Sequence, residues 1–462
     1  MDFDLIVLGG GPGGYAGAIR AAKLGKKVAL VEKNAVGGTC LNRGCIPTKA
    51  LIHSSELFAS RSDWAECGIT ADNVSLDEDK VYERKNKIVS SLREGVKSLL
   101  KANKVELIEG EGKLDGEHTI VVGDKNYTAD FILLATGSEP SAGSKARPLI
   151  GVEHTLDSDD VLAAPVKANN IVIIGAGVIA VEFATYFAES GKAVTLLAPG
   201  ERIVKMMTKD VSVQLSAVLK RIGVKIITGA KIKNIDADKN VYYETEKGEA
   251  SVKGDVVITA IGRKPVLENI GLETTSVKVD KFVCVDDNMY TGVAGIYACG
   301  DITGKMQLAH FAEASAIVAV ESMFGYPKSK DLSVCPSCIY TNPEIASVGK
   351  KETDIENAKI GKFLMGANGK SLIEGVNRGF IKVIADQDDT VVGAEIFAVR
   401  GTDILGELAL AVSKKMKVDE VASVIHAHPT VMEAIGEALE DVHGLATHMA
   451  PKNCLLYTSP SP

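Results

Sequence analysis

Long apolar runs are missing from this chain: none reaches the roughly 20 residues that a membrane-crossing helix needs, so no membrane partner is expected. An excess of positive charge is missing too. With 52 Lys and Arg against 60 Asp and Glu, the formal net charge is −8, and nothing favours a nucleic-acid partner. With "DLIVLGGG" beginning at Asp4, no signal or transit segment is expected ahead of the first apolar strand. A chain without a signal or transit segment is expected in the cytoplasm. Cysteine is sparse for the length: eight thiols in 462 residues, mostly inside apolar patterns, exclude a secreted disulfide framework. The single C-x-x-C, Cys335 to Cys338, has no second pair and sits in the apolar run "LSVCPSCIYTNPEIASVG". It reads as two small core residues of a strand, and no metal site is expected.

Glycine, by contrast, is abundant at 45 residues, and its placement is informative. Strand "DLIVLG", turn "GGGPGG", an amphipathic helix and strand "KVALVEK" follow one another, with Gly9, Gly11 and Gly14 spelling G-x-G-x-x-G and Glu32 ending the second strand. The spacing serves a tight turn, close backbone approach to a pyrophosphate and close helix–strand contact. The helix N-terminus offers amide donors to phosphate, and the acid at the strand tip accepts from ribose hydroxyls. The same pattern returns in "NIVIIGAGVIAVEFATYFAESGKAVTLLA", with Gly175, Gly177 and Ala180 as its fingerprint. A chain of 462 residues holds two to four domains, and two of them are predicted to be Rossmann-like. "FILLATGSEP" and "VVITAIGRKP" each end an apolar strand in a turn of small residues, Thr136–Ser138 and around Gly262, that lets backbone pass close to a ligand. In "GIYACGDIT", Asp301 is placed either to hold a sugar-like hydroxyl or to cap the helix that follows.

Cys40 and Cys45 lie in "GGTCLNRGCIPTKAL". Five residues fully extended span roughly 16–18 Å, whereas a disulfide needs Cα atoms about 4.4–6.8 Å apart; the segment must coil back, and Gly44 helps it to. Helical sequence with Pro47 near its start follows Cys45. A thiol at a helix N-terminus has a lowered pKa, and a close pair directly after a nucleotide-binding βαβ reads as a redox dithiol. Far along the chain, "VIHAHPTVMEAIGEALEDV" sets His428 before a proline and Glu433 about one turn into a helix. A carboxylate there fixes an imidazole tautomer, which makes the pair a candidate acid/base beside a dithiol that exchanges protons.

With "GGGPGGY", "GGTCLNRGCIPTK", "GAGVIAVE", "ATGS", "AIGRKP", "ACGD" and "HAHPTVMEA" in this order, the chain resembles the flavin disulfide reductases across residues 2–450. The resemblance implies an α/β fold of two Rossmann-like dinucleotide-binding domains plus a C-terminal α+β dimerisation (interface) domain. The expected bounds are 1–147 for the first part of an FAD domain, 148–267 for an NAD(P) domain, 268–332 for the second part of the FAD domain and 333–450 for the interface. It also implies one FAD per subunit, surrounded by Gly9, Gly11, Gly14, Glu32, Lys49, Gly112, Thr136, Gly137, Ser138, Asp301 and Ala309. Cys45 would be the flavin-side sulfur of a Cys40–Cys45 disulfide and Cys40 the interchange thiol. Lys49 would pair with Glu182, and His428, oriented by Glu433, would serve the cysteines of the partner subunit in an obligate homodimer. NAD would occupy Gly175, Gly177, Ala180, Ala198 and Gly262. The "CLNRGCIPTK" and "HAHPT" forms lean towards dihydrolipoamide, carried by an acyltransferase or H-protein on another chain, as substrate; the alternatives are another disulfide such as glutathione, or a scaffold that has lost redox chemistry.

Two places depart from that pattern. Ala198 stands where an NAD-binding fold carries an acid for the adenosine ribose, and only Arg202 and Lys205 follow instead of an arginine pair; NAD is expected, with NADP possible. Arg43 inside the cysteine loop is the other variable point. The ending "NCLLYTSPSP" (453–462) breaks the preceding periodicity and reads as a non-native tail, what one frame of a sequencing adapter encodes, or else as a flexible natural end.

Overall fold

A computed structural model describes residues 1–451; the tail at 453–462 lies outside the described residues. The chain divides into two units, one of Met1–Met206 with Leu219–Leu332 and one of Met207–Val218 with the segment from Ser333 onward.

In the first unit, β1 (Phe3–Leu8), α1 (Pro12–Lys23), β2 (Val28–Glu32), α2 (Gly38–Arg43), α3 (Cys45–Ala59), α4 (Glu78–Ala102) and β3 (Glu106–Glu109) build the first dinucleotide fold, followed by β4 (Gly112–Leu114), β5 (Thr119–Val122) and β6 (Lys125–Leu134). The sheet order is β3-β2-β1-β6-β5-β4. Long β6 pairs antiparallel with β5 through its first half and parallel with β1 through its second. Nearly every residue of β1 and β2 is buried, the continuous apolar pattern that a parallel sheet covered on both faces requires.

The second fold follows β7 (Ser138–Pro140) and α5 (Ser158–Ala163), and consists of β8 (Asn170–Ile174), α6 (Val178–Glu189), β9 (Ala193–Ala198), α7 (Lys209–Arg221), β10 (Lys225–Thr228), an antiparallel meander of β11 to β13 (Lys231–Ile235, Asn240–Thr245, Gly248–Lys253) and β14 (Val256–Thr259). Its parallel order is β10-β9-β8-β14. Then come β15 (Arg263–Pro265), which pairs with β7; β16 (Ile296–Ala298), which returns to the first sheet beside β6; and α8 (Ala309–Met323), packed on α1.

The two turns are copies of each other. Gly9 has φ +106° and Gly175 +134°. A Cβ on Gly9 would stand 2.4 Å from Ala135 O, and one on Gly175 2.2 Å from Ala260 O, so only glycine fits either corner.

The second unit holds a five-stranded antiparallel sheet ordered β17-β18-β21-β20-β19 (Ser337–Ile339, Glu344–Gly349, Val391–Ala398, Phe380–Ala385, Lys359–Leu364), with α9 (Gly369–Ile373), α10 (Gly401–Lys414), α11 (Val418–Ala422) and α12 (Glu433–Glu440). The run expected as one strand at 332–349 is two, because Pro343 has no N–H for a ladder. Cys338 lies in β17 and Cys335 just before it, both half-buried.

Lys382, 1% exposed, faces Glu395 across β20–β21 at 3.8 Å and also meets Glu352 at 3.0 Å and Asp210 at 3.2 Å. Glu395 in turn accepts from the Thr208 amide and hydroxyl. This ionic cluster holds the start of α7 in the second unit. Removing a buried cation leaves its carboxylates uncompensated. Lys382→Met is therefore expected to lower unfolding stability by about 3 kcal/mol, measured by urea denaturation; a loss below about 1 kcal/mol, the value of a solvated pair, would contradict that.

Candidate active site

The cysteine segment is helix, not coil. Gly37, in the left-handed region at φ +96°, starts α2, and Gly44 breaks the chain before α3 begins at Cys45. Asn42 fastens this turn by donating from Nδ2 to the carbonyls of Val36 at 3.0 Å and Gly38 at 2.9 Å. Cys45 thus occupies the first turn of a 15-residue helix, where free amides favour a thiolate.

Both thiols are free and hydrogen-bonded to each other. The Cys40 thiol donates to the Cys45 sulfur, which brings the Cys45 pKa down to about 7 against the opposing effect of burial; the Lys49 ammonium helps. The same bond, with burial and the Cys45 charge, pushes Cys40 up. The reduced pair therefore shares one proton and carries its negative charge on Cys45. One turn along α3, Lys49 Nζ meets both carboxylate oxygens of Glu182 on α6, at 2.9 and 2.8 Å, with Glu182 only 3% exposed.

Further along the same helix pair, Ser55 donates to Glu189 at 2.8 Å. Burial raises the Glu189 pKa to about 7, Ser55 opposing and Glu56 adding to the rise. A carboxyl protonated in the folded state up to about 7 and in the unfolded state only up to 4.5 destabilises the fold as pH rises between those values. Glu189→Gln is expected to remove that loss, so that between pH 5 and pH 8 the wild type drops by about 2–3 kcal/mol relative to the variant. Parallel stability curves in denaturant would contradict it.

Around the first fingerprint, the groups fit FAD. Glu32 accepts from the Gly10 amide at 2.7 Å and the Asn34 amide at 2.8 Å, which sets its carboxylate at the strand tip beside the turn. A Cβ on Gly14 would lie 1.8 Å from Gly9 O, closing helix onto strand, while one on Gly11 would touch only Gly38 Cα, at 3.8 Å, and the space beyond Gly137 stays open. Asp301 does not cap α8, whose N-cap is Leu308 without a side-chain bond. It sits half-buried in a short 3₁₀ turn, with its pKa raised by desolvation, and accepts from Ser138 Oγ through Oδ2. A ligand hydroxyl is the natural donor for the oxygen that remains. Thr136 Oγ1 donates to Val266 O at 2.9 Å, tying the two turns together, and Ala309 opens α8. Gly112 stands in β4 against Leu8, Val31 and Ile120, where a Cβ would come within 3.2 Å of all three.

In the second fold, Gly177 is open and Ala180 is fully buried one turn into α6. Gly262, φ +118°, takes the Ser141 amide and hydroxyl on its carbonyl. Ala198 ends β9.

In the second unit, His428 Nδ1 lies 2.9 Å from Glu433 Oε2. A carboxylate only accepts, so Nδ1 carries the proton and Nε2 is the open base on a side chain 79% exposed. The neighbouring His426 is instead spent on Glu407 of α10, at 3.0 Å.

Sequence reasoning missed several partners. Buried Asn368 donates to Thr430 O at 3.0 Å and Glu433 Oε1 at 3.4 Å, steadying the carboxylate from 65 residues away, with no local signal. Arg263 donates to Ser138 Oγ and O, and Asp159 links it to Arg43 of the cysteine segment. Tyr15 donates to Glu313 at 3.0 Å, and the Glu313 carboxylate adds to the rise of the Cys40 pKa. Tyr15 and Arg263 were visible as letters inside "GGGPGGY" and "AIGRKP".

With that geometry in place, comparison with known proteins is specific. The model for pyridine nucleotide-disulphide oxidoreductases matches residues 3–316, and the model for their dimerisation domain matches residues 335–439. Dihydrolipoyl dehydrogenase of Bacillus subtilis is 37% identical over 97% of this chain and 99% of that protein. The dihydrolipoyl dehydrogenase of Staphylococcus aureus is also 37% identical, over 97% of this chain and 98% of its own. Among solved structures, LpdA from Mycobacterium tuberculosis has the same fold, with a TM-score of 0.87 at 24% identity, covering 94% of this chain and 98% of that one. The chain belongs to the pyridine nucleotide-disulphide oxidoreductase family.

Proposed function

We propose that this protein is a homodimeric dihydrolipoyl dehydrogenase that oxidises dihydrolipoamide borne on another chain and reduces NAD+. The observation that carries the reading is the reduced Cys40–Cys45 pair with its charge on Cys45, at the start of a helix that also presents Lys49 to Glu182. The 36–37% identity to dihydrolipoyl dehydrogenases along nearly the whole chain supports this substrate class over glutathione.

His428 Nε2 takes a proton from one dihydrolipoamide thiol, and the resulting thiolate attacks Cys40 of the oxidised pair. The Cys40–Cys45 bond breaks and Cys45 leaves as thiolate. The second substrate thiol then attacks the substrate sulfur of the mixed disulfide, which releases lipoamide and Cys40, the proton returning through His428. Two electrons now rest on the cysteine pair. Bound FAD supplies the two-electron chemistry that links this dithiol to NAD+. Lys49, fixed by Glu182, holds a positive charge beside Cys45 and stabilises its thiolate. Gly9, Gly11, Gly14, Glu32, Gly137, Ser138, Asp301 and Ala309 bind and orient the FAD.

His428 acts on the partner subunit's cysteines. Its solvent exposure, with Val424 52% and Ile425 96% exposed just before it, fits a face that a second copy covers. The lipoyl carrier is an acyltransferase of a 2-oxoacid dehydrogenase complex or a glycine-cleavage H-protein. The test is steady-state assay with free dihydrolipoamide, a lipoylated domain and reduced glutathione as donors. Turnover with the first two and not the third is expected; turnover with glutathione alone would reject the assignment.

A further inference from the structure

The two dinucleotide folds of this chain can be aligned residue by residue from their own strand registers. Leu8 faces Val31 across β1–β2, and Ile174 faces Leu197 across β8–β9. Gly9 N then donates to Val31 O at 2.8 Å, and Gly175 N to Leu197 O at 3.0 Å. The next residue on each second strand is therefore the structural counterpart of the other: Glu32 in the first fold, Ala198 in the second.

Glu32 presents a carboxylate, pinned by two backbone amides, where the adenosine ribose of a dinucleotide lies. Ala198 presents a buried methyl. The second site thus has no acceptor for a ribose 2′-hydroxyl at the strand tip, and no negative charge to repel a phosphate esterified there. In the loop that follows, 199–206, the cations are Arg202 and Lys205 and the only acid is the exposed Glu201. Arg202 folds back to donate from Nη2 to Lys205 O at 2.9 Å, which ties the two positions into one turn of the loop that follows the strand.

We infer that position 198 sets the cofactor choice of this chain, and that its nicotinamide site takes the 2′-phosphorylated dinucleotide as readily as NAD. This rests on the proposed function only in placing the nicotinamide cofactor on the second fold. An acid at the strand tip makes a charged hydrogen bond to the 2′-hydroxyl, worth about tenfold or more in affinity, and imposes a like-charge penalty on a 2′-phosphate. Without it both effects vanish together.

The test uses ligands that lack nicotinamide, so that binding is read without turnover. Isothermal titration calorimetry of the FAD-loaded dimer with ADP-ribose and with 2′-phospho-ADP-ribose is expected to give dissociation constants within about threefold of each other, or tighter for the phosphorylated ligand. Lys205→Ala is expected to weaken only the phosphorylated ligand, by about threefold or more, the loss shrinking at high salt. Ala198→Glu is expected to shift the ratio of the two constants towards ADP-ribose by about tenfold or more. ADP-ribose binding more than about 30-fold tighter in the wild type would overturn the inference and leave the proposed function standing. An unchanged ratio in a folded Ala198→Glu protein would overturn the role of position 198. Binding of neither ligand would overturn both the inference and the placement of the cofactor.

Discussion

Cys45→Ser abolishes dihydrolipoamide oxidation, with turnover falling by at least about 10⁴-fold, the scale on which removal of a reacting atom shows. On the proposed mechanism Cys45 is both the leaving sulfur when substrate attacks Cys40 and the thiolate that delivers electrons onward, and an alcohol does neither. The environment built around it makes the result specific to sulfur. A helix start, the Cys40 proton and the Lys49 ammonium all stabilise a thiolate at this point, and a serine hydroxyl stays protonated there. NADH oxidation by an artificial dye acceptor is expected to survive in the variant, because the residues proposed to bind and orient the FAD and the nicotinamide cofactor include neither cysteine. Loss of that activity as well would mean that the site collapsed and would not support the redox role. Cys40→Ser is equally inactive with dihydrolipoamide but keeps the Cys45 thiolate. In the reduced wild type, alkylation of Cys45 by iodoacetamide is expected to rise as pH increases through about 7, the value to which Cys45 is lowered, and in Cys40→Ser, which lacks the donating thiol, at a higher pH. A wild-type midpoint near the ordinary thiol value of 9.0, or the same midpoint in both proteins, would contradict the shared-proton geometry.

His428→Gln carries the second large effect. Dihydrolipoamide thiols are protonated at neutral pH, and a base positioned for their deprotonation contributes about 10²–10⁴-fold; kcat/KM for dihydrolipoamide is expected to fall by that factor. The dye-linked NADH activity should not change. Raising the pH should restore part of the lost rate, since solvent then supplies the substrate thiolate that His428 no longer makes. Glu433→Gln leaves the imidazole in place but removes the acceptor that fixes its tautomer, so its rate should fall part of the way; Asn368→Ala should follow it in the same direction. A His428→Gln enzyme with near-normal kcat/KM would exclude the histidine as the base.

The parts of this molecule that sequence made legible are those whose physics is local. The two glycine fingerprints announce corners that a Cβ would fill, and Cys45 at a helix start follows from Gly44 and the helical pattern after it. The expectation of coil between the cysteines missed α2, because six residues give a periodicity too short to read and Asn42 holds the turn through carbonyls upstream of it. Non-local chemistry was invisible. Lys382 looks like an ordinary alternating residue of β20, yet it is buried against carboxylates from residues 210, 352 and 395. Asn368, Glu189 and the Asp159 link to Arg43 and Arg263 likewise depend on segments that meet only in the fold. Ala198 shows the converse: a departure read from sequence acquired its meaning when the strand registers put it opposite Glu32's place in the other fold.

The measurement that bears most directly on the account is anaerobic reduction of the purified yellow protein with dihydrolipoamide, followed by addition of NAD+. The account predicts a long-wavelength absorbance band from the Cys45 thiolate against the flavin on the first addition, and NADH on the second. Failure of dihydrolipoamide to reduce a protein that NADH does reduce would contradict it, leaving the family and removing the substrate.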